Sequence, residues 1–296
     1  MGFEQVLPVP SRTLLPALAR IPGHLLWRAN ARVQVLLAQE LPEGIDIHAY
    51  AVLLALADGT PRSQQALADS IAVSRTTMVR VAAELAEQGL VERVRNPADR
   101  RSYALTRTRA AAGAVRRWRP HIARLEAAVV RPFTPDERDE LRELLLATIR
   151  ADLAQGAPAP LLDSVGFLLT RTHFRMHREF GAALAPLRLE PRHFGVLIAL
   201  RATGPVPQSE LARSLGVSGA SVVQMVDDLE HRGLVERRRL ATDRRTQVLH
   251  LLPESESVLA QAAEIAGPLV GNRLAPLNKK QTDRLVVLLV RLVTAE

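Results

Sequence analysis

The sequence predicts a mostly α-helical protein with a small β-ribbon in each of two halves built alike. Three observations predict it. First, a shift of 144 residues aligns two long stretches without a gap: Leu67-Ala68 falls on Leu211-Ala212, Val73-Ser74 on Val217-Ser218, Gly89–Arg93 on Gly233–Arg237, and Asp99-Arg100-Arg101 on Asp243-Arg244-Arg245. Second, each copy reads as helical apolar stripes that stop at a glycine and are followed by two β-prone runs. Third, the segment Gln155–Pro160 (QGAPAP) has the small, Pro- and Gly-containing composition of a connector. The expected domains are therefore residues 12–156 and 157–296.

Each element has a local cause. A long first helix is expected over Leu14–Glu40 and over Leu161–Leu184. Tyr50–Leu56 (YAVLLAL) lies over Phe194–Leu200 (FGVLIAL), which predicts a short buried helix in each half. Ser63 is a candidate N-cap for a helix over Gln64–Ile71, with Leu67 and Ile71 spaced i, i+4. Ser74 caps the next helix, whose apolar stripe is Met78, Val81, Ala82 and Leu85; Gly89 stops it in a left-handed turn. In the second copy the cap is Ser218, the stripe Val222, Met225, Val226 and Leu229, and the stop Gly233. Strands follow over Leu90–Arg95 and Tyr103–Leu105, then over Leu234–Arg239 and Gln247–Leu251. Two closing helices are expected in each half: Arg107–Val130 and Pro135–Leu153, then Glu254–Leu269 and Lys279–Val293.

Composition narrows the function. The 296 residues are 47% hydrophobic, enough for two cores, and net +8; residues 1–156 carry 21 basic and 17 acidic side chains, and residues 157–296 carry 18 and 14. This shared excess suits a polyanion but also any soluble basic protein. Only Lys279 and Lys280 among the 39 basic residues are lysines, so the charge is almost all guanidinium, apt for bidentate phosphate or guanine contacts and equally the mark of a GC-rich genome. The absence of cysteine excludes disulfides, thiol redox sensing and Cys zinc sites. No secretory leader or membrane-spanning run is seen, so a cytoplasmic location is expected. A phosphate-binding Gly-rich loop, a nucleophile elbow and a metalloprotease motif are all missing, and the chain is not expected to be an enzyme.

Two helices joined by a short turn form a helix-turn-helix, whose second helix offers its N-terminal side chains to the major groove. The residues so placed are Ser74, Arg75, Thr76, Thr77 and Arg80 in the first copy, and Ser218, Gly219, Ala220, Ser221 and Gln224 in the second. The hairpin behind each is a wing. Its candidate contacts are Arg93, Arg95, Asp99, Arg100 and Arg101, and then Arg237, Arg239, Asp243, Arg244 and Arg245. The wings carry Asp99, Arg101, Leu105, Arg107 and Thr108 in one copy and Asp243, Arg245, Leu249, Leu251 and Leu252 in the other. With Gly-Leu-Val-Glu-Arg before each, the chain resembles the MarR family, whose wing reads Asp-x-Arg-x-x-x-Leu-x-Leu-Thr; Arg107 and Leu252 depart from that pattern. The resemblance implies tandem winged helix-turn-helix domains. It further implies minor-groove insertion of Arg101 and Arg245, each steadied by its Asp.

In that family the first and last two helices pair across a twofold axis, so one chain holding both sets is expected to fold as a pseudo-dimer and to act as a monomer on double-stranded DNA at an imperfect palindrome. The resemblance also implies a pocket for a small aromatic or drug-like effector. The scarce rings suggest its lining: His24, Trp27, His48, Tyr50, His173, Phe174, His177, His193 and Phe194, which read equally as core residues. His173, His177 and His193 lack acidic or Cys companions in a ligand pattern, so neither metal nor cofactor is expected. The leading function is a sequence-specific transcription regulator, a repressor released by a ligand. The alternatives are a ligand- or protein-binding module that lost DNA affinity in one copy, suggested by Gly219-Ala220, and a nonspecific architectural DNA protein.

Overall fold

The computed structural model describes residues 14–71, 73–96, 101–153, 157–239 and 247–295. The chain divides into two compact units, one of Val33–Arg171 and one joining the stretch that ends at Arg32 to the stretch that begins at Thr172. The chain passes from one unit to the other inside its two leading helices, α1 (Pro22–Glu40) and α8 (Val165–Leu184).

In the Val33–Arg171 unit, Asp46 caps α2 (Ile47–Ala55) by accepting from the amides of His48 and Ala49 at 2.6 and 3.3 Å, and two thirds of this apolar helix is buried. α3 (Gln64–Ile71) and α4 (Arg75–Glu87) form the helix-turn-helix; Leu67, Ile71, Met78, Val81, Ala82 and Leu85 all face the core, as their spacing predicts. Gly89 closes α4 at φ 65°, a conformation that needs glycine although a methyl group would meet nothing there. The wing pairs β1 (Val91–Arg95) with β2 (Tyr103–Arg107), Val91 opposite Arg107 and Arg95 opposite Tyr103. α5 (Arg109–Val130), α6 (Pro135–Ile149) and the short α7 (Ala159–Leu162) follow.

The second unit repeats this plan with α9 (Pro191–Thr203), α10 (Gln208–Leu215), α11 (Gly219–His231), β4 (Val235–Arg239), β5 (Gln247–Leu251), α12 (Glu254–Leu274) and α13 (Lys279–Thr294). Its wing keeps the register residue for residue, Val235 opposite Leu251. A two-residue strand, β3 (Val206–Pro207), adds to β5 through Val206 and Leu249; the Arg62–Leu105 bridge is its counterpart 144 positions earlier. Neither has an alternating apolar signature, and the sequence does not predict them. α12 runs five residues past the expected Leu269, through Pro268, which costs it one backbone donor without ending it.

The compact units depart from the boundary expected near residue 157, for an apolar reason. Leu18 is fully buried in the core of α9–α12, with Leu14, Leu15, Ile21 and Trp27 against it. Leu161 is buried in the core of α2–α5, with Phe167 against it. Each reading head therefore completes its core with the leading segment of the other sequence repeat.

A buried arginine tightens each junction. In the Val33–Arg171 unit the Arg171 guanidinium donates to the carbonyls of Asp69 and Ser70, in the last turn of α3, at 3.1 and 3.3 Å, and to that of Asp152 at 3.0 Å. In the second unit Arg28 donates to the carbonyl of Leu215, the last residue of α10, at 3.4 Å. Both supply a cation where helix-end carbonyls lack amide partners. Arg28 lies so near Gly216 (φ 70°) that a methyl group there would come within 2.5 Å of its Cζ. Among the described residues no helix is long and apolar enough to cross a membrane.

Candidate nucleic-acid interface

The start of each recognition helix is fixed by its cap. Ser74 Oγ accepts from the Thr77 amide at 3.0 Å and lies 2.8 Å from the Thr77 hydroxyl; Ser218 Oγ accepts from the Ser221 amide at 3.1 Å and lies 2.8 Å from the Ser221 hydroxyl. These four hydroxyls are spent on the helix ends. Ser221, expected to face outward, is 9% exposed, because its hydroxyl turns in to the cap. Left facing solvent are Arg75, Thr76 and Arg80 on α4, and Gly219, Ala220 and Gln224 on α11.

Arg80 is exposed yet engaged, donating to Glu84 at 2.7 and 2.8 Å and to Asp46 at 2.9 Å. Hydrogen bonds to Glu84 and then Asp46 hold its guanidinium pKa above the ordinary value. Burial pushes the Asp46 carboxyl up, but the Arg80 bond, the charge of His48 and the two helix amides outweigh it and leave it below the usual carboxylate range.

On the first wing, Tyr103 is 49% exposed, and the Arg93 and Arg95 guanidiniums lie 5.3 and 4.8 Å from its ring centroid. Arg101 is exposed at the foot of the tip. On the second wing Arg237 is 19% exposed and ion-paired to Asp227 at 2.6 Å and to Glu230. Arg239 is exposed. Asp99, Arg100, Asp243, Arg244 and Arg245 lie outside the described residues.

The aromatic set separates between the units. His24, Trp27, His173, Phe174, His177, His193 and Phe194 belong to the second unit, whereas His48 and Tyr50 belong to the Val33–Arg171 unit, Tyr50 in its core. The His24 and Trp27 rings are 5.6 Å apart, and His173 is 5.4 Å from both Phe174 and His177. Phe180, not singled out by the sequence, meets Phe194 edge-on at 5.5 Å. Burial first, then the Arg28 charge, lowers the His24 imidazole to about 3; burial and then His177 do the same for His173. His24 Nε2 is buried without a hydrogen-bond partner. His193 serves the helix instead, its Nδ1 accepting from the Glu190 amide at 3.3 Å and so capping α9. Among the described residues no three His, Asp or Glu side chains are placed to hold a metal.

The model of the MarR family matches this chain twice, at residues 43–102 and 189–246, each span running from the short buried helix to the wing. Both winged helix-turn-helix regions of the chain are therefore similar to the MarR family. A similar protein is one of Thauera aromatica named as a transcriptional regulatory protein for the hcr operon, 29% identical over 143 residues, which cover 48% of this chain and 86% of that protein. Similar solved structures include a transcriptional regulator from Pseudomonas aeruginosa (30% identity, 44% of this chain and 97% of that one, TM-score 0.41). Another is a mutant MarR from E. coli complexed with operator DNA (25% identity, 44% and 91%, TM-score 0.40). The double match makes this a tandem MarR-type transcription regulator with two DNA-binding winged helix-turn-helix domains, not an enzyme.

Proposed function

We propose that the chain is a sequence-specific repressor that binds operator DNA as a single polypeptide and is released by a small aromatic effector. The observation that carries the DNA reading is the repetition, at one offset, of a serine-capped recognition helix with exposed N-terminal residues and a wing of matching register behind it. Arg75 and Arg80 can donate in pairs to guanine O6 and N7, Thr76 can meet a thymine methyl, and Gln224 can read adenine. The operator is then an imperfect palindrome whose halves are read differently. The effector reading is supported by two ring pairs of the second unit, half-buried His24 beside Trp27 and buried His173 beside His177, and by the His24 Nε2 that lacks a hydrogen-bond partner; Phe174, by contrast, is exposed.

Footprinting on the DNA upstream of the protein's own gene, with and without a panel of phenolic acids, tests both. A discrete protected site about two half-sites long, lost on adding one of the acids, is expected. Uniform coating or no protection overturns the operator reading, and a footprint that no phenolic acid disturbs overturns the effector reading.

A further inference from the structure

The two heads are unequal in the charge they can offer to DNA, a difference whose meaning rests on the DNA-binding reading and goes beyond it. Arg237 on β4 and Arg93 on β1 occupy the same place in their wings, 144 residues apart. In the second head Asp227 accepts from the Arg237 guanidinium at 2.6 Å; Glu230 pairs with the same guanidinium and also accepts from the Arg237 backbone amide at 3.0 Å. The corresponding positions of α4 are Ala83 and Ala86, which have nothing to pair with. Among the described residues no carboxylate engages Arg93; its neighbour is the exposed face of Tyr103, which keeps the charge at the surface. The recognition helices differ in the same sense. α4 holds an exposed Arg75 and an Arg80 that pairs with Glu84 and Asp46 but keeps half of its side chain exposed, whereas α11 holds Asp227, Asp228 and Glu230 and neither Lys nor Arg.

We propose that the second winged helix is the low-affinity head, kept so by Asp227 and Glu230, which withhold Arg237 from phosphate and set three carboxylates, with Asp228, on the helix that faces the DNA. Phosphate contacts supply sequence-independent affinity and its salt dependence. The first head therefore anchors the complex, and the second, with Gly219 and Ala220 at its reading end, contributes less until the carboxylates are removed.

A double-mutant cycle tests this with the full chain and a fluorescein-labelled duplex of arbitrary sequence, by anisotropy over a salt series. Asp227→Ala with Glu230→Ala should tighten binding about tenfold and steepen the salt dependence by about one phosphate equivalent. Arg237→Ala should then weaken binding several times more in that background than in the parent, because only there is the guanidinium available. Asp227→Asn with Glu230→Gln, which keeps the side-chain volumes, repeats the comparison should the alanine pair fail to fold. Equal effects of Arg237→Ala in both backgrounds overturn the latch while leaving DNA binding intact. No binding of the parent at low salt overturns the DNA reading and the latch with it.

Discussion

Arg101 has a tyrosine-bearing strand behind it and an exposed side chain, and with Arg245 it holds the wing position that the family resemblance assigns to the minor groove. Arg101→Ala and Arg245→Ala should each weaken specific DNA binding by about 1–3 kcal/mol with the melting temperature unchanged. Parent-like affinity of both variants would remove the wings from the interface. The buried histidines set a different dependence. Unfolded, His24 and His173 take up protons near their ordinary value of 6.5; folded, burial lowers both to about 3. Between those values the unfolded chain binds more protons, so stability is full above pH 6.5 and falls by about 1.4 kcal/mol per pH unit per histidine as the pH drops below it. Thermal melts from neutral to mildly acid pH should show that decline, and His24→Gln should flatten it. Equal slopes for parent and variant would mean that His24 is not the group responsible.

At the scale of elements, the two helix-turn-helix units hang from their leading helices by arginines. Arg171 joins the last turn of α3 to the carbonyl of Asp152, so Arg171→Met, which keeps much of the stem but removes the donors, strands three carbonyls and should cost about 2–4 kcal/mol. A lower urea midpoint at constant m is the expected result, and an unchanged midpoint refutes the clamp. Such devices mark where sequence reasoning stops. The stripes of α4 and α11, their serine caps and their terminal glycines were legible because each is set by residues a turn apart, and the wings because their strands are neighbours in the chain. The inward turn of Ser221 and the carboxylates on Arg237 were not, since a hydroxyl or a guanidinium written in sequence carries no direction. A comparison of Ala83 and Ala86 with Asp227 and Glu230 across the repeat was the available signal for the second.

For the whole molecule, the split of α1 and α8 between units was the least legible feature. Amphipathic leading helices announce that they will be buried, but not in which core, because the partners lie far along the chain in the other sequence repeat. With both sets of closing helices in one chain, the protein should sediment as a monomer at micromolar concentration and bind one chain per site. A stable dimer in the analytical ultracentrifuge would overturn this.

The placement of Leu18 among α9–α12, and of Leu161 and Phe167 among α2–α5, also reaches into heredity. A gene encoding two separable halves can lose one to a premature stop and keep a working remainder. Here a stop after the connector would leave the first winged helix without Leu161, Phe167 and the Arg171 clamp, and a late start would leave the second without Leu18 and Arg28. Fragments 1–156 and 157–296 made separately should therefore be poorly folded and should recover helical circular dichroism only when produced together; independent folding of either would contradict the crossed packing. The second head can thus drift in what it reads, or cease to read, but selection on the first head alone forbids its deletion.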